Sequence, residues 1–216
     1  MMNWTYLGVV PYTQALTLQH QLVEQHKQGD GVDTLLLLQH PPVITLGRRA
    51  DERNILASSE TLASEGIEVH RVERGGDVTY HGLGQLVGYP ILNLRHFKLD
   101  VTWYVESLAE VMVRTLADFG VRGTYQRDLV GVWVGDEKIV ALGMSFKSWI
   151  SFHGFALNIA TPMRHWELIV PCGIHAKGMT SLAKLLGRDV AVMEAVPLVV
   201  KHFGEVFGVE LEQREP

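Results

Sequence analysis

The chain has 216 residues, 47% of them hydrophobic and 20% charged, with a formal net charge of -5; this supports one sizeable core, predicts a single domain over 1–216 and excludes global disorder. The acidic balance, with no dense Lys/Arg run beyond Arg48-Arg49, argues against a general nucleic-acid binder and against an anionic membrane surface. A lone cysteine, Cys172, excludes an internal disulfide framework. The N-terminal MMNWTYLGVVPYTQ lacks the basic start and apolar core of a signal peptide, and no apolar run approaches a membrane span, so cytoplasmic residence is the expectation.

In chain order, residues 4–8 read as a short strand and 12–28 as a helix, with Ala15, Leu18 and Leu22 at helical spacing. TLLLLQH (34–40) reads as a buried strand broken by Pro41-Pro42, and 43–47 resumes extended structure. Residues 58–65 suit a short helix with a serine cap, and 67–72 and 85–94 suit strands flanking a glycine-rich loop. The clearest helix is 101–119. Asp100 can cap it, Tyr104, Leu108, Val111, Met112, Thr115 and Phe119 share one face, and Gly120 can end it. LVGVWV (129–134) and KIVALG (138–143) predict a hairpin turning at Gly135-Asp136. Residues 149–160 form a strand pair or one bent strand. The end is helical over 180–186 and 190–207, with Pro197 as a kink. Strands dominate the middle without regular alternation with helices, which disfavours a doubly wound sheet and predicts an α+β fold with a mixed or antiparallel sheet.

Chemistry concentrates in three places. RGGDVTYHGLGQ (74–85) packs glycines, an acid, hydroxyls and His81 into one stretch. Its glycine spacing, and the strand-like QLVGYPILNL after it, do not fit a dinucleotide fingerprint, and a Walker A pattern is absent. It is either a tight connection or a loop whose backbone closely approaches a ligand. Cys172 lies in VPCGIHAKGMTSL. A free cysteine is ordinarily a small buried hydrophobe, but Pro171 and Gly173 set a turn here rather than a packed strand. A nucleophilic thiol needs a neighbouring cation or base, for which His175 and Lys177 are nearest in sequence. Lys138, after the Gly135-Asp136 turn, is either an exposed strand-end lysine or one drawn into a pocket, where it would stabilise a thiolate and exchange protons. The ten histidines include no HExxH or HxH pattern, and no metal site is expected.

Taken together and in order, RGGDVTYHGLGQLVGYPILNL, GDEKIVALG, HGFALNIA and PCGI resemble the octanoyltransferases of lipoate biosynthesis, in the biotin/lipoate protein ligase-like superfamily, over residues 4 to 210. The resemblance implies that superfamily's fold, related to class II aminoacyl-tRNA synthetases. It implies transfer of an octanoyl group from octanoyl-acyl carrier protein, without a cofactor, to a specific lysine of lipoyl domains in 2-oxoacid dehydrogenase complexes and the glycine cleavage H protein. Cys172 matches the family's acyl-thioester nucleophile and Lys138 the lysine that lowers its pKa. Arg74, Gly75, Gly76, Asp77, Val78, Thr79, Tyr80 and His81 match one substrate-binding stretch; Ala141, Leu142 and Gly143, and Gly154, Phe155 and Ala156, match two others. An apolar groove for the acyl chain is expected from Val78, Leu142, Phe155 and Leu157. One departure is visible: HGLGQ stands where HGPGQ is expected, so Leu83 removes proline's restraint on φ. The rivals are an ATP-dependent lipoate ligase or an octanoyl amidotransferase on the same fold, and a non-catalytic binding module.

Overall fold

The computed structural model describes residues 1–171 and 178–214. TLLLLQ shows most directly how sequence becomes architecture here. As β2 (Thr34–Gln39), with β1 (Met2–Val9) before it, it sends Leu35 and Leu37 into one hydrophobic cluster and Leu36 and Leu38 into another. A strand with period-two side chains can be apolar throughout only when both faces of its sheet are covered. One cover is α1 (Tyr12–Gln28), which places Ala15 and Val23 against the second cluster. On the opposite face lie α3 (Val101–Asp118) and α5 (Val192–Phe207), which contact each other and contribute Leu108, Met112, Val199 and Phe203 to the first.

The remaining elements are β3 (Val43–Leu46), α2 (Ser59–Ser64), β4 (Glu68–Arg71), β5 (Val78–His81), β6 (Gln85–Ile91), β7 (Thr124–Gln126), β8 (Gly131–Val134), β9 (Glu137–Lys147), β10 (Ile150–Asn158), β11 (Gly178–Met179), α4 (Leu182–Leu186) and β12 (Leu211–Gln213). The main sheet runs β12-β1-β2-β6-β10-β9-β8-β7, with β11 pairing β9. Its β12–β1, β1–β2 and β11–β9 pairs are parallel and the others antiparallel. A small sheet, β4-β3-β5, packs beside it around Ile44, Val78, Tyr80 and Trp166. The α+β class and the mixed, mostly antiparallel sheet agree with the sequence-based expectation. Among the described residues no helix is long and apolar enough to cross a membrane.

Several boundaries differ for local reasons. The stretch 85–94 stops as a strand at Ile91, because the Asn93 side chain accepts from Arg95 N and starts a 3-10 turn over Leu94–His96. The stretch 149–160 holds one strand, Ile150–Asn158, entered through a two-residue turn in which Ser148 and Trp149 hold φ of 53° and 67°. KIVALG is the first half of an eleven-residue strand. The glycine-rich segment is not all loop, since VTYH pairs with β3 as β5. Pro197 is accommodated inside α5.

Capping held where it was predicted. Ser58 accepts from Thr61 N, and Asp100 accepts from Trp103 N at 3.0 Å. Asp100→Ala is expected to cost about 1 kcal/mol of stability, read in chemical denaturation, with no effect on the distant site.

Candidate active site

β9 and β10 bring two of the predicted substrate stretches into direct register. Ala141 pairs with Ala156, Leu142 with Phe155, and Gly143 with Gly154. The third stretch meets them at its start, where Gly75 N donates to Met144 O at 2.9 Å. Together they wall a cavity of about 50 Å³. All the predicted substrate residues line it except Tyr80, whose ring packs in the small sheet's core and whose Oη lies 2.7 Å from His165 Nδ1. Leu157 also lies elsewhere: it is fully buried in the main core, so the expected groove lining of Val78, Leu142, Phe155 and Leu157 keeps three of its four members. Tyr12, Tyr89, Val130 and His153 belong to the wall and were not anticipated.

The glycines of the 74–85 stretch serve both proposed roles. A Cβ on Gly47 would strike Gly76 O, and one on Gly143 would sit 3.2 Å from Gly75 O and 3.3 Å from Arg74 Cδ. Three backbone segments therefore close around the Arg74 side chain with nothing between them, and the same bare backbone forms the wall. Arg74 spans to β3, donating from Nη2 to Thr45 O at 2.7 Å. Asp77 is a tie rather than a reactive acid. Its carboxylate accepts from Val78 N at 2.7 Å, Asp51 N at 3.2 Å and Asn54 Nδ2 at 2.6 Å. The turn at Leu83 does not rely on proline. Gly84 N donates to Gln39 Oε1 at 2.8 Å, and Gly84 O accepts from Ala160 N at 2.8 Å and Ile159 N at 3.1 Å.

Lys138 is the most telling placement. It sits second in β9, where an exposed side chain is the ordinary outcome, yet it is 2% exposed and lines the cavity. A register shift between Val132 and Trp133 marks a bulge opposite it, of the kind that re-aims a side chain. Nζ donates to Val130 O at 3.3 Å and lies 4.8 Å from the centre of the Trp133 ring. Room for the stem depends on Gly131, where a Cβ would come within 3.0 Å of Lys138 Cε and 2.8 Å of Val140 O. Gly131→Ala is therefore expected to displace the ammonium and lower activity at least tenfold in a transfer assay, a much larger loss than an exposed Gly→Ala change in a strand would give. β11 runs parallel to the start of β9, pairing Met179 with Lys138, and Thr180 N donates to Lys138 O at 3.0 Å. Cys172, with His175 and Lys177, lies outside the described residues.

Two histidines of the cavity wall, His81 and His153, and His40 packed against His81, are kept neutral by burial. His40 donates from Nδ1 to Val10 O at 2.7 Å and accepts from Tyr89 Oη at 2.7 Å through Nε2; burial lowers its pKa to about 4. His153 falls to about 3, first through burial and then through the Arg74 charge. His81 lies well below its usual value for the same first reason. Each native-state pKa is depressed, so between the ordinary 6.5 and these values the unfolded chain binds more protons. Stability contributed by neutral His40 and His153 is complete above pH 6.5 and is lost as pH falls toward 4 and 3. The loss is about 3 kcal/mol for His40 alone. Denaturation midpoints across pH 7 to 4 should fall accordingly, and His40→Gln should flatten the slope.

The lipoyl protein ligase A/B catalytic domain model matches residues 11–204, and the chain belongs to that family. Solved structures with the same fold include a bipartite lipoate protein ligase from Thermoplasma acidophilum (TM-score 0.78, 16% identity, covering 99% of this chain and 87% of that one). They also include a biotin protein ligase from Aquifex aeolicus (TM-score 0.56, 14% identity, 96% and 70%). Within the family, octanoyltransferases are among its sequence relatives. That of Caldicellulosiruptor saccharolyticus is 48% identical, covering 97% of this chain and 90% of the relative. That of Alkaliphilus metalliredigens is 45% identical, covering 97% of each.

Proposed function

We propose that this chain is an octanoyltransferase that moves an octanoyl group from octanoyl-acyl carrier protein to a lysine of lipoyl domains, including those of 2-oxoacid dehydrogenase complexes and the glycine cleavage H protein, in the cytoplasm. The observation that carries the reading is Lys138, an ammonium buried in the wall of a cavity built from Val78, Ala141–Gly143 and Gly154–Ala156, in a chain 45% and 48% identical to octanoyltransferases. A medium-length alkyl chain suits that lining, and Lys138 suits proton exchange at the thioester end.

In the first step the Cys172 thiolate attacks the octanoyl carbonyl carbon, the bond to the carrier's sulfur breaks, and Lys138 gives that sulfur a proton. In the second, the acceptor amine attacks the Cys172 thioester, the C–S bond breaks to regenerate the thiolate, and the amine's surplus proton returns to Lys138. The ammonium is thereby restored, the thioester supplies the driving force, and no nucleotide is consumed. The pairing of Met179 with Lys138 supports this reading, because it ties the chain seven residues beyond Cys172 to the lysine's strand.

A ligase on this fold would instead activate a free acid with ATP. The test is transfer to an apo lipoyl domain, comparing octanoyl-acyl carrier protein without ATP against octanoate with ATP. Transfer under the first condition alone is expected; transfer under the second alone would overturn the proposal.

A further inference from the structure

An alkyl chain needs no hydrogen bonds, yet one end of the cavity is polar. The cavity and the groove beside it share Gly75, Gly76, Asp77, Val130, Leu142 and Gly143, so the cavity opens on that side. Tyr12, Arg74, His81, Tyr89 and His153 are among the cavity residues that the groove does not share, as is Lys138, and the Arg74 charge acts on the other four of the cluster. They form one cluster: the Tyr12 and His81 rings stack with centroids 6.2 Å apart, and Tyr89 meets His153 edge-on at 6.2 Å.

Among the described residues, two polar atoms of this cluster, Tyr12 Oη and His153 Nε2, are buried without a hydrogen-bond partner, on residues 3% and 2% exposed. The cluster also offers an acceptor. Gln85 Nε2 donates to Tyr80 O and to Asn158 Oδ1, which turns Oε1 toward His81. His81 Nδ1 therefore donates to Gln85 Oε1 at 2.8 Å and leaves Nε2 as a lone pair. Buried groups of this kind are satisfied in nearly all native proteins, and apolar atoms cannot satisfy them. What complements a hydroxyl donor beside imidazole nitrogens is another hydroxyl, which accepts from the first and donates to the second.

We propose that the blind end of the cavity is a hydroxyl-binding site, and that the protein accepts medium-chain acyl groups carrying an ω-hydroxyl. This rests on the acyltransferase reading for its chemistry, though not for its geometry. Tyr12 donates to the ligand hydroxyl, and that hydroxyl donates to a histidine nitrogen. His153 is held for the task by its own backbone. It sits at a strained φ of 56°, with its N–H donated to Gln19 Oε1 at 2.7 Å.

The test compares isosteric pantetheine thioesters in which a terminal methyl is exchanged for hydroxyl: 6-hydroxyhexanoyl against heptanoyl, 7-hydroxyheptanoyl against octanoyl, 8-hydroxyoctanoyl against nonanoyl. In a purely apolar cavity the methyl wins by roughly tenfold or more at every length. The expected result is a hydroxyl-to-methyl ratio of kcat/KM at or above one for the single length that reaches the blind end. Tyr12→Phe, which removes only an unpartnered oxygen, should lower that ratio about tenfold. A methyl preference at all three lengths, or a ratio unmoved in Tyr12→Phe, would overturn the site. Calorimetric binding of the free acids reads the same ratio without turnover. Failure of the octanoyl chemistry would therefore be seen separately from failure of the hydroxyl site.

Discussion

Lys138→Met is expected to lower octanoyl transfer by roughly 10²- to 10⁴-fold, the range for loss of a positioned proton-transfer group, while the protein stays folded. The reasoning starts from cost. An ammonium at 2% exposure has given up most of its hydration, and its contacts include the Val130 carbonyl and the face of Trp133. A charge buried in the wall of the cavity suits a chemical role, so its removal should collapse activity while the fold persists. Methionine keeps the length of the apolar stem, which separates loss of charge from loss of packing. A second readout follows from the proposed effect on the thiol. The pH profile of Cys172 alkylation should move to higher pH in Lys138→Met, because a cation that favours the thiolate has gone. An unchanged profile would remove that role from Lys138 even if transfer fell.

The second large effect concerns the cavity's shape. Gly88 pairs with Phe155 across β6 and β10, and a Cβ at Gly88 would run into the Phe155 ring. Gly88→Ala must therefore push that ring away from β6, and the space it borders is the cavity. Overpacking of this kind costs about 1–3 kcal/mol of stability. The functional consequence should be larger: a shortened cavity that loses octanoyl transfer by about tenfold or more while hexanoyl is spared, each methylene being worth roughly 1–3 kcal/mol. Steady-state rates with C6 and C8 donors read the shift. Adding Phe155→Leu should return the C8 preference, since the two side chains compete for one volume. Equal losses for both donors would show that the ring moves elsewhere.

Sequence and structure agree most where a signal is local. The bounds of α1, the Asp100 and Ser58 caps and the β8–β9 turn follow from periodicity and turn chemistry within a few residues. The register that sets Ala141–Gly143 against Gly154–Ala156 is different. It joins residues about a dozen apart, and the motifs mark both stretches without revealing that they are partners. Burial of Lys138 was still less legible, because it depends on a bulge at Val132/Trp133 and on the missing side chain of Gly131. Tyr12, Tyr89 and His153 escaped notice for a related reason. They come from α1, β6 and β10, elements distant in sequence, and His153 was weighed only among possible metal ligands. One signal was available: His153 stands next to Gly154 in HGFALNIA, inside a motif already singled out.

The central claim is a covalent octanoyl group on Cys172, and intact mass spectrometry tests it most directly. Incubation with octanoyl-acyl carrier protein, without ATP, should add the mass of one octanoyl unit to the chain. The adduct should be absent from Cys172→Ser and should disappear on addition of an apo lipoyl domain as the acceptor gains that same mass. An acceptor that becomes octanoylated equally well by Cys172→Ser would contradict the account.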